Sequence, residues 1–273
     1  MTAISQANPA RSCRPALSWE PLLATAGLLL ALTMIPTGWL ALTDPRTLDG
    51  VNVWIKPLKF MASVSLFWLT GAWVFSHLPS GFRQSLAGRY TVWVSLIAGL
   101  LEIAYITLQA SRAEASHFNY SSPTSSVLYS LMAVGAVSMT STSLVQGIAV
   151  LRTRAGDLAP PVRTALGWGL VLTFLLGTLT GGYMGSQPGH FVGIPTDLQG
   201  LPLLGWSTTA GDLRPAHFFG MHAAQILPVL IWVIALGSPT WARRLPVPLA
   251  LAYAALTLAI LAQAMAGKPL IAL

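Results

Sequence analysis

Charged side chains are scarce in this chain of 273 residues, of which 54% are hydrophobic and only 8% are charged. Globular domains ordinarily carry roughly 25% charged residues. The apolar residues fall in long blocks without the periodicity of a surface helix or strand, so the expected solvent of the chain is lipid rather than water. The sequence therefore predicts a membrane protein and excludes a soluble domain.

Cysteine is nearly absent as well, because Cys13 is the only one in the sequence. A single thiol excludes internal disulfides, CxxC redox pairs, thiolate zinc sites and covalent haem attachment through two cysteines. The sequence also lacks a P-loop, a G-x-S-x-G nucleophile elbow and an H-E-x-x-H zinc motif. Any metal or haem would have to be held by histidine, methionine or carboxylate side chains.

The chain is basic, with a net charge of +7 and an isoelectric point near 10.1. Such a charge can indicate nucleic-acid binding, but here the basic residues are divided among short segments between apolar blocks. Membrane topology explains this distribution better than a nucleic-acid partner does. No nucleic-acid partner is therefore expected.

Seven apolar windows of about 20 residues are each long enough to cross a hydrocarbon core about 30 Å thick. The sequence thus predicts an all-α, polytopic helix bundle that forms one integral membrane domain over residues 1–273. Pro36 and Pro228 lie inside spans and are expected to kink them, unless the break in the sixth span lies elsewhere. The predicted spans are Pro21–Leu42, Pro57–Leu78, Tyr90–Ala110, Thr124–Val150, Thr164–Met184, Pro215–Leu236 and Pro246–Ala266.

The basic residues also predict the orientation of the chain in a bacterial inner (cytoplasmic) membrane. A cytoplasmic N-terminus places more positive charges inside than outside, as the positive-inside rule favours. The inner set is Arg11, Arg14, Arg83, Arg89, Arg152, Arg154, Arg163, Arg243 and Arg244, and the outer set is Arg46, Lys56, Lys59, Arg112, Arg214 and Lys268.

The connection between the fifth and sixth spans, residues 185–214, is unusually long. Its glycine- and proline-rich turns favour an extracytoplasmic loop over another span. Loops of this length are commonly lids or binding loops.

Ionisable residues concentrate on the predicted outer side, whereas His77 lies at the cytoplasmic end. With a rise of 1.5 Å per residue, Glu102 in the third span and His222 in the sixth both lie roughly 10–12 Å below the outer helix ends. A carboxylate at mid-membrane costs at least about 2.5 kcal/mol, so Glu102 should face the bundle interior, and His222 is its expected partner. The outer-side histidines are His117, His190, His217 and His222.

The residue spacing defines candidate site residues around that pair. Glu102 shares one helix face with Ser95, Tyr105 and Gln109, and Gln225 shares a face with His222. Gly177, Gly181 and Gly185 fall four residues apart and predict a small-residue packing ridge on the fifth span.

Glu102 and His222 are the candidate catalytic residues. Because imidazole is the commonest metal ligand, the candidate metal ligands are His222, Glu102 and His217, and the cofactor would be a transition metal or haem. His217 and His222 are five residues apart and diverge by about 140°, so they are not expected to chelate one ion together. The candidate cofactor-binding residues are His117, His190, His217, His222, Arg214 and Lys59. Lys56 and Lys59 follow Trp54 at a helix start, as interfacial anchors do.

Three stretches, "NVWIKPLKF", "SRAEASHFN" and "GDLRPAHFFGMHAAQILP", resemble patterns of uncharacterised bacterial multi-pass membrane proteins. The resemblance covers roughly the second, third and sixth spans with their outer loops, and it implies only that these stretches belong together. It implies no activity and no catalytic residue. Seven spans with several histidines are also similar to membrane metallohydrolases related to alkaline ceramidases, but His77 lies on the wrong side and the last span lacks H-x-x-x-H.

Three functions stay open at this stage. One is an outward-facing metal or haem site with redox or hydrolytic chemistry, built on His222 with Glu102 as ligand or proton acceptor. Another is a proton-coupled small-molecule transporter, in which the same two residues relay protons beneath a loop gate. The third is a non-catalytic assembly subunit whose polar surface docks a periplasmic protein. The lipid bilayer surrounds the chain in each case, and a small-molecule ligand would enter from the extracytoplasmic side.

Overall fold

The computed structural model describes residues 20–153, 158–197, 200–202 and 204–273. Cys13 and the basic residues Arg11, Arg14 and Arg154 lie outside these described residues. The helices are α1 (Pro21–Thr43), α2 (Ile55–Ser76), α3 (Ser80–Gln84), α4 (Leu86–Ser111), α5 (Pro123–Arg152), α6 (Pro160–Gly185), α7 (Arg214–Met221), α8 (Ala223–Gly237), α9 (Pro239–Arg244) and α10 (Pro246–Met265). Two short antiparallel hairpins join β1 (Thr47–Leu48) to β2 (Val51–Asn52) and β3 (Phe191–Val192) to β4 (Gly211–Asp212).

Six of these helices are long and apolar enough to cross a membrane, and α7 with α8 forms a bent pair that makes a seventh candidate span. This confirms the predicted all-α membrane bundle. Helices are the expected outcome because lipid offers no hydrogen bonds, so each span must satisfy its own backbone groups. Side-chain caps mark several helix starts, as where Glu20 accepts from the Leu23 N–H at 2.7 Å and Ser122 from the Ser125 N–H at 3.1 Å.

The chain passes alternately between two ends of the bundle. We call one the long-loop end, which carries residues 44–54, 112–122, 186–197, 200–202, 204–213 and 266–273. The opposite end carries residues 77–85, 153, 158–159 and 238–245. Two contacts across the long-loop end join separate segments, because Arg46 donates to the Ser111 carbonyl at 2.9 Å and Lys59 donates to the Leu204 carbonyl at 2.8 Å.

The core consists of apolar clusters between neighbouring helices. Trp68 lies at the centre of the cluster that joins α1, α2 and α4, and Leu227 lies in the one that joins α6, α8 and α10. Small residues bring the helices close together. A Cβ atom on Gly147 of α5 would lie 2.9 Å from the Gly167 carbonyl of α6, so that crossing requires glycine.

The sixth predicted span is broken, but the break is at His222 and not at Pro228. The axes of α7 and α8 differ by 61° there, whereas Pro228 lies inside the continuous helix α8. Contacts with α6 explain the position. The Thr173 hydroxyl accepts the Ala224 N–H at 3.0 Å, so it satisfies a donor that the break leaves free. Likewise, α1 continues as one helix through Pro36.

Candidate functional site

Glu102 lies inside the bundle on α4 and is only 6% exposed. Its Oε1 atom lies 3.6 Å from Nε2 of His117, a residue of the loop 112–122. On the other side, Gly135 of α5 lies next to the carboxyl group, since a Cβ atom there would be in ordinary van der Waals contact with Oε2 at 4.0 Å. The site therefore begins with a buried carboxyl group that a loop histidine reaches from the long-loop end.

The His117 imidazole is enclosed by aromatic rings. Phe60 of α2 and Tyr129 of α5 lie on it, with ring centroids 5.4 Å and 5.8 Å away, and Nδ1 lies 3.2 Å from the Ser116 hydroxyl. Burial lowers the pKa of His117 well below its usual range, and the nearby charges of Lys56 and His217 act in the same direction. At neutral pH, the contact with Glu102 therefore involves a neutral imidazole.

Local backbone geometry explains how the loop reaches this depth. Ala113 and Phe118 adopt positive φ angles of 57° and 55°, which turn the chain sharply after α4. The Gln109 amide donates to the Ala115 carbonyl at 3.2 Å, and the Asn119 amide donates to the same carbonyl at 2.8 Å. These bonds fold the loop back over the end of α4, so that His117 points down toward Glu102.

Lys56 supplies positive charge to the site from the first turn of α2. It is half-buried, and its ammonium group acts electrostatically on Glu102 and on two loop histidines, His117 and His190. The sequence presented Lys56 as an ordinary interfacial anchor. The signal that could have distinguished it is its position at the long-loop end of α2, the span that packs against the helix of Glu102.

A continuous row of rings connects the loop 112–122 to the long loop. Successive partners along the row lie 4.1 to 6.3 Å apart between ring centroids, and a guanidinium group 5.1 Å above the last ring ends it. The row is His117, Tyr129, Phe118, His190, Phe191 and Arg214. It brings two of the predicted cofactor-binding histidines into one aromatic layer above Glu102.

His190 is the second histidine of that layer, and like His117 it is half-buried. Its Nε2 atom is buried and has no hydrogen-bond partner among the described residues. Burial lowers the pKa of His190 to about 4, and the positive charge of Arg214 acts in the same direction while Asp212 opposes it. The folded protein therefore keeps this imidazole neutral under conditions in which an exposed histidine would be charged.

Acidification is expected to lower the thermal unfolding midpoint of the protein. Between pH 6.5 and about 4 the unfolded chain binds a proton that folded His190 does not bind, so the stability present above pH 6.5 is lost as the pH falls through this window. Thermal unfolding in detergent across that range should show a shallower pH dependence for His190→Gln than for the wild type. Identical slopes for the two proteins would refute this role of His190.

Arg214 and Lys59, both predicted to bind a cofactor, hold the long loop. The Arg214 guanidinium contacts both carboxylate oxygens of Asp212, with Nη2 2.6 Å from Oδ2 and Nε 2.9 Å from Oδ1, and it donates to the Gly205 carbonyl. The same carboxylate accepts from the Ser207 N–H at 3.0 Å. With the Lys59 bond to Leu204, these contacts fix the loop on the bundle, and a binding role for Arg214 and Lys59 stays a prediction.

A second carboxylate orders the tip of the long loop. Asp197 accepts from the Ser207 hydroxyl at 2.6 Å, the Thr209 hydroxyl at 2.7 Å and the Thr208 N–H. These bonds keep the pKa of Asp197 well below its usual range, so its charge is permanent at physiological pH. These hydrogen bonds hold the long loop in a defined conformation over the site.

His217 lies on α7 against the predicted glycine ridge of α6. Its Nδ1 atom lies 3.2 Å from the Thr180 hydroxyl, and a Cβ atom on Gly181 would lie 2.8 Å from its ring. A Cβ atom on Gly177 would likewise lie 2.7 Å from Sδ of Met221. The small residues are therefore what allows α7 and its histidine to pack on α6.

His222 lies at the break between α7 and α8, where its ring contacts Phe218 at a centroid distance of 4.4 Å. The predicted pairing of Glu102 with His222 is wrong, because the partner of Glu102 is His117. The depth of a residue along its helix does not show which loop folds inward to reach it.

The predicted metal set of His222, Glu102 and His217 is not assembled. Among the residues that the structure describes, no group of three or more His, Cys, Asp or Glu side chains could hold a metal ion. The individual roles of Glu102 and His222 stay predictions.

The fold and the site together define a polytopic α-helical membrane protein with a buried carboxyl–imidazole contact under a structured loop. Comparisons with protein-family models, with curated proteins and with solved structures find no match for this chain. The resemblance of three stretches to bacterial multi-pass membrane proteins therefore stays a prediction, and the functional argument rests on the geometry of the site.

Proposed function

We propose that this protein is a proton-coupled small-molecule transporter of a bacterial inner membrane, in which Glu102 exchanges protons with the outside through His117. In this proposal the N-terminus is cytoplasmic and the long-loop end faces the extracytoplasmic water, in keeping with the distribution of basic residues along the sequence. The single observation that carries the proposal is the 3.6 Å separation between Glu102 Oε1 and His117 Nε2.

That separation suits intermittent proton transfer. It is too long for a direct hydrogen bond, so transfer requires a small ring movement or one bridging water. Ionisable groups within a span are expensive and commonly mark proton relays. An imidazole can take up a proton on one ring nitrogen and release one from the other. His117 lies on a loop rather than on a span, and its side chain is 22% exposed whereas that of Glu102 is 7% exposed, so His117 is the closer of the two to water.

The broken span favours a transport function rather than an enzymatic one. Transporters commonly build their substrate site where a span is interrupted, because the half-helix ends offer free backbone groups to a ligand. Here the break at His222 joins α7 to α8 at 61°.

The same break carries unused hydrogen-bonding capacity. The Gln225 amide donates to the Thr70 hydroxyl at 3.1 Å, whereas its Oε1 atom is buried without a partner in the described part of the chain. Away from the break, the Tyr105 hydroxyl on the helix of Glu102 is also buried with no hydrogen-bond partner among the described residues. An unpaired buried polar group costs roughly 1–3 kcal/mol, so a polar ligand or water is the expected partner.

A pH-jump experiment tests the proposal without knowledge of the substrate. Proteoliposomes adsorbed on a solid-supported electrode should give a transient charge displacement when the external pH is stepped, and Glu102→Gln should abolish it. Glu114→Gln is the matched control, because Glu114 is an exposed carboxylate at the same end. A wild-type transient in the Glu102→Gln protein would rule out proton exchange at this residue. Addition of small-molecule panels to the same electrode then identifies the substrate class.

A further inference from the structure

Lys56 lies at the start of α2, on the face of that helix that two loops cover. Lys59 and Phe60 follow it by three and four residues, so the three side chains share this face. Phe60 packs on His117 of the loop 112–122, with ring centroids 5.4 Å apart, and Lys59 donates to the Leu204 carbonyl of the long loop at 2.8 Å. The face of α2 that carries Lys56 therefore meets both loops.

The Lys56 ammonium group keeps its hydrogen-bonding capacity. It is half-buried, and it forms no hydrogen bond and no ion pair within the part of the chain that the structure describes. It attracts the carboxyl group of Glu102 electrostatically, but the basic group within ion-pair distance of Glu102 is His117. An ammonium group has three N–H donors, so Lys56 can offer all three to a ligand.

The charges around Lys56 do not provide it with a permanent counterion. Asp212 is bound by Arg214 through both carboxylate oxygens, and Glu102 loses its negative charge whenever it takes up a proton. The charged and titratable groups that act on one another here are Lys56, Lys59, Glu102, His117, His190, Asp212, Arg214 and His217. With Glu102 protonated, this group of residues has an excess of positive charge and complements an anion.

His190 and its neighbouring rings indicate what kind of anion fits. Its Nε2 atom is buried with no hydrogen-bond partner among the described residues, and Lys56 acts electrostatically on the same imidazole. His190 also belongs to the row of rings that joins the two loops, with Phe118 at a centroid distance of 6.3 Å. Ammonium and imidazole N–H groups bind a carboxylate through charge-assisted hydrogen bonds, and rings favour contact with another ring.

We propose that the transported substrate is a small aromatic carboxylate, which binds with its carboxylate on Lys56 and His190 and its ring against the aromatic row. This inference rests on the proposed transport function and names its substrate class. From this site α7 leads inward, because it begins at Arg214 beside the row and reaches the break at His222 after about 12 Å of helix.

The same arrangement explains how a proton is coupled to the substrate. Ionised Glu102 and the substrate carboxylate compete for the positive charge of Lys56. Protonation of Glu102 therefore strengthens substrate binding, and bound substrate favours the protonated form of Glu102 by an equal factor. The substrate should enter together with the proton that the Glu102 carboxylate takes up.

Isothermal titration calorimetry of the detergent-purified full chain with benzoate tests the substrate class. Benzoate should bind more tightly than benzamide, its uncharged analogue, and Lys56→Gln should weaken benzoate binding by roughly 10–100-fold, the loss of a charged hydrogen bond. Lys56→Arg keeps the charge and should retain most of the affinity, which separates charge recognition from a loss of folding. Lys268→Gln is the matched control, because Lys268 is an exposed lysine at the same end.

The Glu102→Gln variant tests the coupling and separates the two proposals. It should bind benzoate at least as tightly as the wild type, because glutamine removes the competing negative charge. Titrations in buffers of different ionisation enthalpy should show proton uptake on binding in the wild type and none in Glu102→Gln. A wild-type pH-jump transient without benzoate binding refutes the substrate class alone, whereas benzoate binding without a transient refutes transport alone.

Three further outcomes would overturn the carboxylate site. Equal binding of benzoate and benzamide would show that the negative charge is not recognised. Unchanged benzoate binding in Lys56→Gln would place the ligand elsewhere. Displacement of benzoate by inorganic phosphate at equal concentration would identify a site for inorganic anions instead.

Discussion

Replacing His117 by glutamine is expected to slow proton delivery to Glu102 by about 100-fold, the lower end of the contribution of a positioned acid–base group. Glutamine has a similar size and can hydrogen-bond, but it cannot take up and release a proton. The rise time of the pH-jump charge displacement measures this rate directly. The size of the displacement should be preserved, because Glu102 itself is still present.

A matched histidine substitution separates this effect from a general loss of stability. His77→Gln removes an imidazole from the opposite end of the bundle, so its rise time should equal that of the wild type. Equal slowing in both variants, or wild-type kinetics in His117→Gln, would exclude His117 as the proton path.

Replacing Asp212 by asparagine is expected to lower the free energy of unfolding by about 3 kcal/mol. Asp212 is 2% exposed and binds Arg214 through both oxygens, and loss of one partner of a buried pair costs about 3–5 kcal/mol. We expect the lower end of this range of energies because the Arg214 side chain is 28% exposed, so water can partly hydrate it once its partner is lost. Chemical unfolding in mixed micelles measures the difference.

Asp49→Asn is the control for that measurement. Asp49 is exposed at the same end of the bundle and has a φ of 51°, a conformation that asparagine also adopts readily. Its unfolding free energy should therefore change by no more than about 0.5 kcal/mol. An equally small change for Asp212→Asn would show that the ion pair does not hold the long loop.

The spans were predictable from the sequence because lipid imposes one requirement on all of them. A segment without hydrogen-bonding solvent must be helical, so apolar length alone locates it. The buried face of α4 was predictable from helical spacing, and Ser95, Glu102 and Gln109 are indeed 2%, 6% and 4% exposed. Spacing along one helix fixes which residues share a face, and it does so without information from the rest of the fold.

The break in the sixth span and the partner of Glu102 depend on contacts that spacing does not encode. Pro228 was the local signal for a break, but the bend lies at His222, where Thr173 of α6 receives the Ala224 N–H. The sequence indicates only that His117 is an outer-side histidine, whereas the amide bonds of Gln109 and Asn119 fold its loop inward. In both places a side chain bonds to the backbone of a bend or loop, and periodicity along a span does not reveal such bonds.

The missed role of Lys56 has a different cause. A lysine next to a tryptophan at a helix start is typical of interfacial anchors, and nothing local distinguishes one that turns inward. Whether such a lysine anchors the helix at the membrane surface or faces the bundle interior depends on which helix packs beside it. Here α4 does so and presents Glu102, on which the Lys56 ammonium acts.

Time-resolved infrared difference spectroscopy of the protein in lipid nanodiscs tests proton exchange between Glu102 and His117, because it observes the protonated carboxyl group of Glu102 itself. We expect a carboxyl band that follows a step in external pH, is missing in Glu102→Gln and follows the step more slowly in His117→Gln. A band that survives in Glu102→Gln, or one that follows the step at the wild-type rate in His117→Gln, would contradict the proposed relay.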